Sequence, residues 1–223
     1  MQHVWKTMRD KIKQRLADYL KLYLIFEIDF LKVPIDVFLS SVFDAGLTSI
    51  QLRCKNKSVK ERYNIGLIIK KHIRKRDVLF IVNDRLDLAI LLHADGCHIG
   101  HSDLPVMPVK KHFSNMVLGY SCHSKDDIIF AKKHTVDYIG LGSVFPTNTK
   151  SDVEKVLGIE ALHNLAAIAS DLPTVAIGGI NIANLPKILS DNIDGYAVSS
   201  AICSSHNPGK IVEHMLNIIH NNE

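Results

Sequence analysis

Cysteine is scarce and scattered. Cys54, Cys97, Cys122 and Cys203 lie far apart with no CxxC pair. That excludes a disulfide framework and points to a reducing cytoplasm. Long hydrophobic runs are missing too. None approaches the roughly 20 residues of a membrane span, and the first residues lack the apolar segment of a secretory signal. A net excess of positive charge is missing from most of the chain. Residues 1–21 carry six Lys or Arg against two Asp, which is the whole net charge of +4. The remainder is neutral by count, so no nucleic-acid partner is indicated. No linker or low-complexity stretch divides the sequence. No glycine-rich turn follows the first apolar run, where the chain reads Glu27–Ile28–Asp29–Phe30. That counts against an open dinucleotide-binding sheet.

What remains is a chain of 223 residues, 47% hydrophobic and 22% charged, enough for one large core. Trp5, Met8, Ile12, Leu16 and Tyr19 recur at spacings of three or four. They form the apolar stripe of an amphipathic helix over 1–20. It is expected to cover one end of the domain formed by 21–223. A membrane-surface role is the weaker reading, since the stripe is short and the polar face also carries acids.

From residue 22 the sequence alternates. Strands are predicted at 22–28, 48–54, 78–82, 96–99, 117–121, 137–141, 173–177 and 195–199. Helices are predicted at 34–45, 58–74, 85–93, 104–112, 125–134, 159–170, 182–189 and 208–219, with Ser58 as an N-cap. The strands are short, β-branched and apolar on both faces, as buried parallel strands are. Eight strand–helix units predict a single (β/α)8 barrel, the TIM-barrel fold, with an extra N-terminal helix.

Chemistry in such a barrel sits at the C-terminal ends of the strands. Strand two ends in Gln51, Arg53 and Lys55, which share a face by the strand period. Two cations there suit an anion, or a salt-bridged core cluster. Asp84 and Asp103 follow strands three and four. They suit Mg²⁺ bridging a pyrophosphate, or each could cap the next helix. Ser121 and His123 end strand five, but no acid follows to complete a hydrolytic triad, so Ser121 is read as a donor to substrate. Cys97–His98 and Cys122–His123 match no zinc spacing. The stretch GLGSVFPTNTK, 140–150, holds Thr147, Thr149 and Lys150 on a loop with donors for an anionic ligand. Gly178–Gly179 and Ser199–Ser200 end strands seven and eight, the usual phosphate cradle of this fold. The glycines could equally serve tight packing.

The segments QLRCK, NDRLDLA, ADGCHIGHSDLP, GYSCHS, DYIGLGSVFPTNTK, VAIGGI and GYAVSSAI together resemble thiamine-phosphate synthases over about residues 20–205. The resemblance implies a Mg²⁺-dependent transferase that joins a pyrimidine methyl diphosphate to a thiazole phosphate. It implies that Gln51, Arg53, Lys55 and Asn83 hold the pyrimidine diphosphate, and that Asp84 and Asp103 carry Mg²⁺. Ser121 and Lys150 would hold the leaving pyrophosphate. Thr147, Thr149, Gly179, Ser199 and Ser200 would hold the thiazole phosphate. Arg53, Ser121 and Lys150 would act on the reaction itself. The partners implied are small molecules, with homo-oligomerisation left open. The ending FEIDF departs from the threonine–aspartate common in relatives, Cys54 fills an often acidic position, and 151–157 lacks a frequent proline. A thiazole tautomerase and a non-catalytic sensor of thiazole or thiamine phosphate are the alternatives. The first needs neither Mg²⁺ nor a pyrophosphate clamp.

Overall fold

Each short apolar run becomes one strand of a closed parallel sheet in which neighbours in sequence are neighbours in space, from β1 to β8 and back to β1. The computed structural model describes residues 11–147 and 156–221. Helical residues 11–14 lead into α1 (Leu16–Leu20), then β1 (Leu22–Phe26), α2 (Ile35–Asp44) and β2 (Ser49–Leu52). Next come α3 (Val59–Ile73), β3 (Leu79–Asn83), α4 (Leu86–Leu91), β4 (Gly96–Ile99) and α5 (Val106–His112). The barrel continues with β5 (Val117–Cys122), α6 (Lys125–Lys133), β6 (Tyr138–Leu141), α7 (Gly158–Ala169) and β7 (Thr174–Ile177). It closes with β8 (Gly195–Val198), α8 (Ser200–Cys203) and α9 (Pro208–His220).

Ser58 caps α3 as expected: its hydroxyl accepts from Glu61 N while Glu61 accepts from Ser58 N. Three elements differ from expectation. Strand one, expected over 22–28, stops at Phe26, because Phe30 N and Leu31 N turn back onto Glu27 O and Ile28 O and make Ile28–Phe30 a 3-10 turn. The segment after β7 is a short 3-10 helix, Leu185–Ile188, not a helix over 182–189. Asn181 and Asn184 bond local backbone there, which competes with a regular helix, and Pro186 limits the donors that one needs. Strand two is shorter than 48–54. It stops at Leu52, because Cys54 takes a left-handed backbone with φ of 41°.

Alternation sorts the side chains into two cores. One lies between sheet and helices and holds Leu24, Phe26, Ile50, Val82 and Cys97. The other fills the barrel with Tyr23, Ile25, Ile81, Val117, Tyr138 and Val175, and includes Leu16, Tyr19 and Leu20 of α1. The amphipathic stripe thus plugs the N-terminal end of the barrel. Trp5 and Met8 lie outside the described residues. Thr48 Oγ1 donates to Tyr19 O at 3.0 Å, and Arg15 Nη1 to Asp77 Oδ2 at 2.8 Å.

A repeated device registers the even strands. Asp95, Asp137 and Asp194 immediately precede β4, β6 and β8. Their carboxylates accept from Phe80 N (2.8 Å), Leu118 N (2.9 Å) and Thr174 N (2.7 Å) near the starts of β3, β5 and β7. Each aspartate N–H donates back to the carbonyl of the same residue.

Candidate active site

Parallel closure brings every strand's C-terminal end to one mouth. On β2, Gln51 is buried and faces the barrel interior, across from Tyr23. Arg53 follows the strand, and its Nη1 lies 2.8 Å from Glu27 Oε2 at the end of β1. The acid that strand two lacks comes from its neighbour. Glu27 is buried, and burial raises its pKa despite the opposing Arg53 charge. Lys55 does not share the inward face with Gln51 and Arg53, because the strand period ends before Cys54. Its side chain is half exposed on the rim, with Nζ 3.1 Å from Asp84 Oδ2.

Asp84 follows β3 in a left-handed conformation with φ of 53°, and its N–H donates to His98 O at 2.8 Å. Lys55 flanks one carboxylate oxygen, and Arg62 Nη1 lies 3.7 Å from the other. Arg62 also donates to Lys55 O and Lys57 O, tying the loop after β2 to this carboxylate. Asp103 Oδ2 accepts from Gly100 N at 2.7 Å and closes the turn after β4. Neither aspartate caps a helix, since α4 and α5 begin without side-chain capping bonds. Asp84 and Asp103 line one open cleft with Arg62 and Ser102. Among the described residues no three His, Cys, Asp or Glu side chains gather as a metal cluster. Two oxygen donors on one cleft fit a hard cation that keeps waters and takes phosphate oxygens.

Asn83 ends β3 in register with His98 on β4. His98 Nε2 lies 3.0 Å from Ser121 Oγ, and Nδ1 lies 3.0 Å from Tyr138 Oη. Ser121 is therefore partnered by His98, not by His123, whose Nδ1 meets the Gly142 carbonyl. Ser121 and His123 thus do not form the pair that a hydrolytic relay would need. Gly119 makes this packing feasible: a Cβ there would lie 2.2 Å from Tyr138 Cζ and 2.4 Å from His98 Nδ1.

The loops after β6 and β7 are zipped together. Val144 N donates to Ile177 O (2.9 Å) and Phe145 N to Gly178 O (3.0 Å). Gly178 and Gly179 both have positive φ, and a Cβ on Gly179 would lie 2.6 Å from Pro146 O. The packing reading of these glycines holds, though the approach is loop to loop. Thr147 directly follows Pro146 and is half-buried. Thr149 and Lys150 lie outside the described residues. After β8, Ser199 leads into Ser200 at the start of α8. Two buried oxygens near this rim, Glu27 Oε1 and Ser199 Oγ, meet no hydrogen-bond partner among the described residues.

Residues 22–202 match the sequence profile of the family described as thiamine monophosphate synthase. The chain belongs to this family. It is 42% identical over 176 residues to the thiamine-phosphate synthase of Pyrococcus abyssi, covering 79% of this chain and 84% of that one. It is 40% identical over 205 residues to the thiamine-phosphate synthase of Methanococcus maripaludis, covering 92% and 97%. A solved thiamine phosphate pyrophosphorylase from Pyrococcus furiosus superposes with a TM-score of 0.83 at 35% identity, covering 92% of this chain and 98% of that one.

Within this thiamine monophosphate synthase fold, sequence reasoning missed four neighbours of the predicted site: Glu27, Arg62, Tyr23 and Tyr138. Arg62 reads as an ordinary charge on a solvated helix face. The tyrosines read as barrel core. Only Glu27 gave a signal, as part of the unusual FEIDF ending. Burial pushes the Tyr23 and Tyr138 phenols well above their ordinary range, so both stay protonated.

Proposed function

We propose that this chain makes thiamine phosphate from 4-amino-2-methyl-5-(diphosphooxymethyl)pyrimidine and hydroxyethylthiazole phosphate, releasing pyrophosphate. The observation that supports this best is the grouping at one mouth of Arg53, Lys55, Asp84, Asp103 and Ser121, with the Ser199–Ser200 turn on the same rim. The first group suits a diphosphate with a divalent cation. The second, with Gly179, suits a phosphate monoester.

Asp84 and Asp103 would hold Mg²⁺, which when bound neutralises charge on the diphosphate oxygens. Lys55, already 3.1 Å from Asp84, supplies a cation beside that position. Arg53, held by Glu27, faces the same anion, and Ser121 and Lys150 donate to the departing pyrophosphate. Gln51 and Asn83 orient the pyrimidine. The exocyclic C–O bond breaks as the amino-substituted ring releases electrons, and the bonding pair leaves with pyrophosphate. The thiazole nitrogen then forms the C–N bond, while Thr147, Thr149, Gly179, Ser199 and Ser200 hold its phosphate. No protein nucleophile is needed, consistent with His123 being bonded to Gly142 O rather than to Ser121.

The partners are thus two small molecules. No helix among the described residues is long and apolar enough to cross a membrane. The composition supports a cytoplasmic setting. The test is purified protein with both substrates and Mg²⁺, monitored for pyrophosphate and thiamine phosphate. Binding of thiazole phosphate without product would favour a sensor and overturn the proposal.

A further inference from the structure

Five side chains from five strands form one hydrogen-bonded line across the barrel. Gln51 Nε2 (β2) lies 2.7 Å from Tyr23 Oη (β1). Tyr23 Oη lies 3.0 Å from Tyr138 Oη (β6). Tyr138 Oη lies 3.0 Å from His98 Nδ1 (β4), and His98 Nε2 lies 3.0 Å from Ser121 Oγ (β5). Gln51, Tyr23 and Tyr138 are at most 3% exposed.

Counting protons gives the line a direction. An amide nitrogen donates and does not accept. Tyr23 therefore accepts from Gln51 and passes its own hydrogen to Tyr138. Tyr138 passes its hydrogen to His98 Nδ1. The imidazole then carries its hydrogen on Nε2 and donates to Ser121 Oγ. A hydrogen on Nδ1 would instead leave one of the two buried phenols with an O–H and no acceptor in the line, an arrangement proteins avoid. The two ends follow. Gln51 is left with Oε1, an acceptor, to offer the mouth. Ser121, having accepted from His98, is left with its O–H, a donor.

We propose that this line sets the polarity of both ends of the substrate site together, with Tyr23, Tyr138 and His98 as positioning residues. This rests on the function proposed above and deepens it. That substrate carries an amino group, which needs an acceptor, and a diphosphate, which needs donors. Turning over the Gln51 amide would reverse every bond. It would present a donor to the amino group and lone pairs to the diphosphate, a mismatch at both ends.

The test is the tautomer of His98, read by nitrogen NMR on labelled protein without ligand and assigned by difference from His98→Asn. The expected state is neutral imidazole with hydrogen on Nε2 and a bare Nδ1. Hydrogen on Nδ1 would overturn the proposal. In Tyr138→Phe, which keeps the ring, the His98 signals should move toward a mixture of tautomers. The loss in kcat should be roughly five- to tenfold, as for one neutral hydrogen bond, with circular dichroism unchanged. Unmoved His98 signals in that variant would also overturn it. An inactive wild-type protein would refute the reaction and with it the substrate match. An active protein with the Nδ1–H tautomer would refute the line alone.

Discussion

Glu27 Oε2 lies 2.8 Å from Arg53 Nη1, and this pair joins the ends of β1 and β2 beneath the mouth. Desolvation outweighs the attraction of Arg53 and raises the Glu27 pKa above its ordinary 4.5. A raised folded-state value means the fold favours the protonated acid. That contribution is full below about pH 4.5 and is lost as pH rises through the folded value. Glu27→Gln removes the titration. The stability of the variant relative to wild type should therefore climb as pH rises above 4.5 and level off once pH has passed the raised folded-state value. Denaturant midpoints taken stepwise from acid to neutral pH would check this, and a constant difference would count against it.

Asp84 stands between Lys55 and Arg62 in a left-handed backbone. Asp84→Ala should lower turnover at least about a hundredfold, as expected when roughly 3 kcal/mol of charge stabilisation is lost. Far-UV dichroism should not change. Lys150→Ala should cost a similar factor. Full activity in either variant would reject the diphosphate assignment.

Chelation should stop turnover, and added Mg²⁺ should restore it. Two carboxylates without phosphate hold such an ion weakly, so the melting temperature of the ligand-free protein should move little. Adding the pyrimidine diphosphate should make melting sensitive to Mg²⁺. Metal-independent turnover would remove Asp84 and Asp103 from the role given them.

Gly179 has φ of 65° and no room for a methyl group beside Pro146 O. Gly179→Ala should cost about 1–3 kcal/mol of stability. It should raise KM for the thiazole phosphate more than for the pyrimidine diphosphate. Equal effects on both constants would argue that these glycines serve packing alone.

Leu16 of α1 is 2% exposed inside the barrel floor. Leu16→Ala should destabilise by about 2–5 kcal/mol while leaving kcat and both KM values near wild type. Calorimetry and steady-state rates would separate the two.

Much of this was legible because local pattern and fold agree. Eight apolar runs with turn residues between them gave the strands, while the aspartate device shared by Asp95, Asp137 and Asp194 shows only in the structure. That Arg53, Asp84, Asp103 and Ser121 reach one mouth was legible because they fall at the ends of predicted parallel strands. What stayed hidden depends on partners distant in sequence. Nothing local to Arg53 announces Glu27, and nothing local to Ser121 says that His98 rather than His123 bonds it. The reach of strand two was overestimated because a cysteine gives no warning of a left-handed backbone. The weak segment after β7 was overestimated because its asparagines bond their own loop.

The packed interior of the barrel, sealed below by Leu16, Tyr19 and Leu20, leaves the mouth as the way in and out among the described residues. Reactants and products then share one doorway, and a pyrimidine diphosphate held against Gln51, as proposed above, would have to arrive before its mate. An order of arrival would then be set by the packed barrel floor, and initial-rate patterns with both substrates varied would reveal that queue.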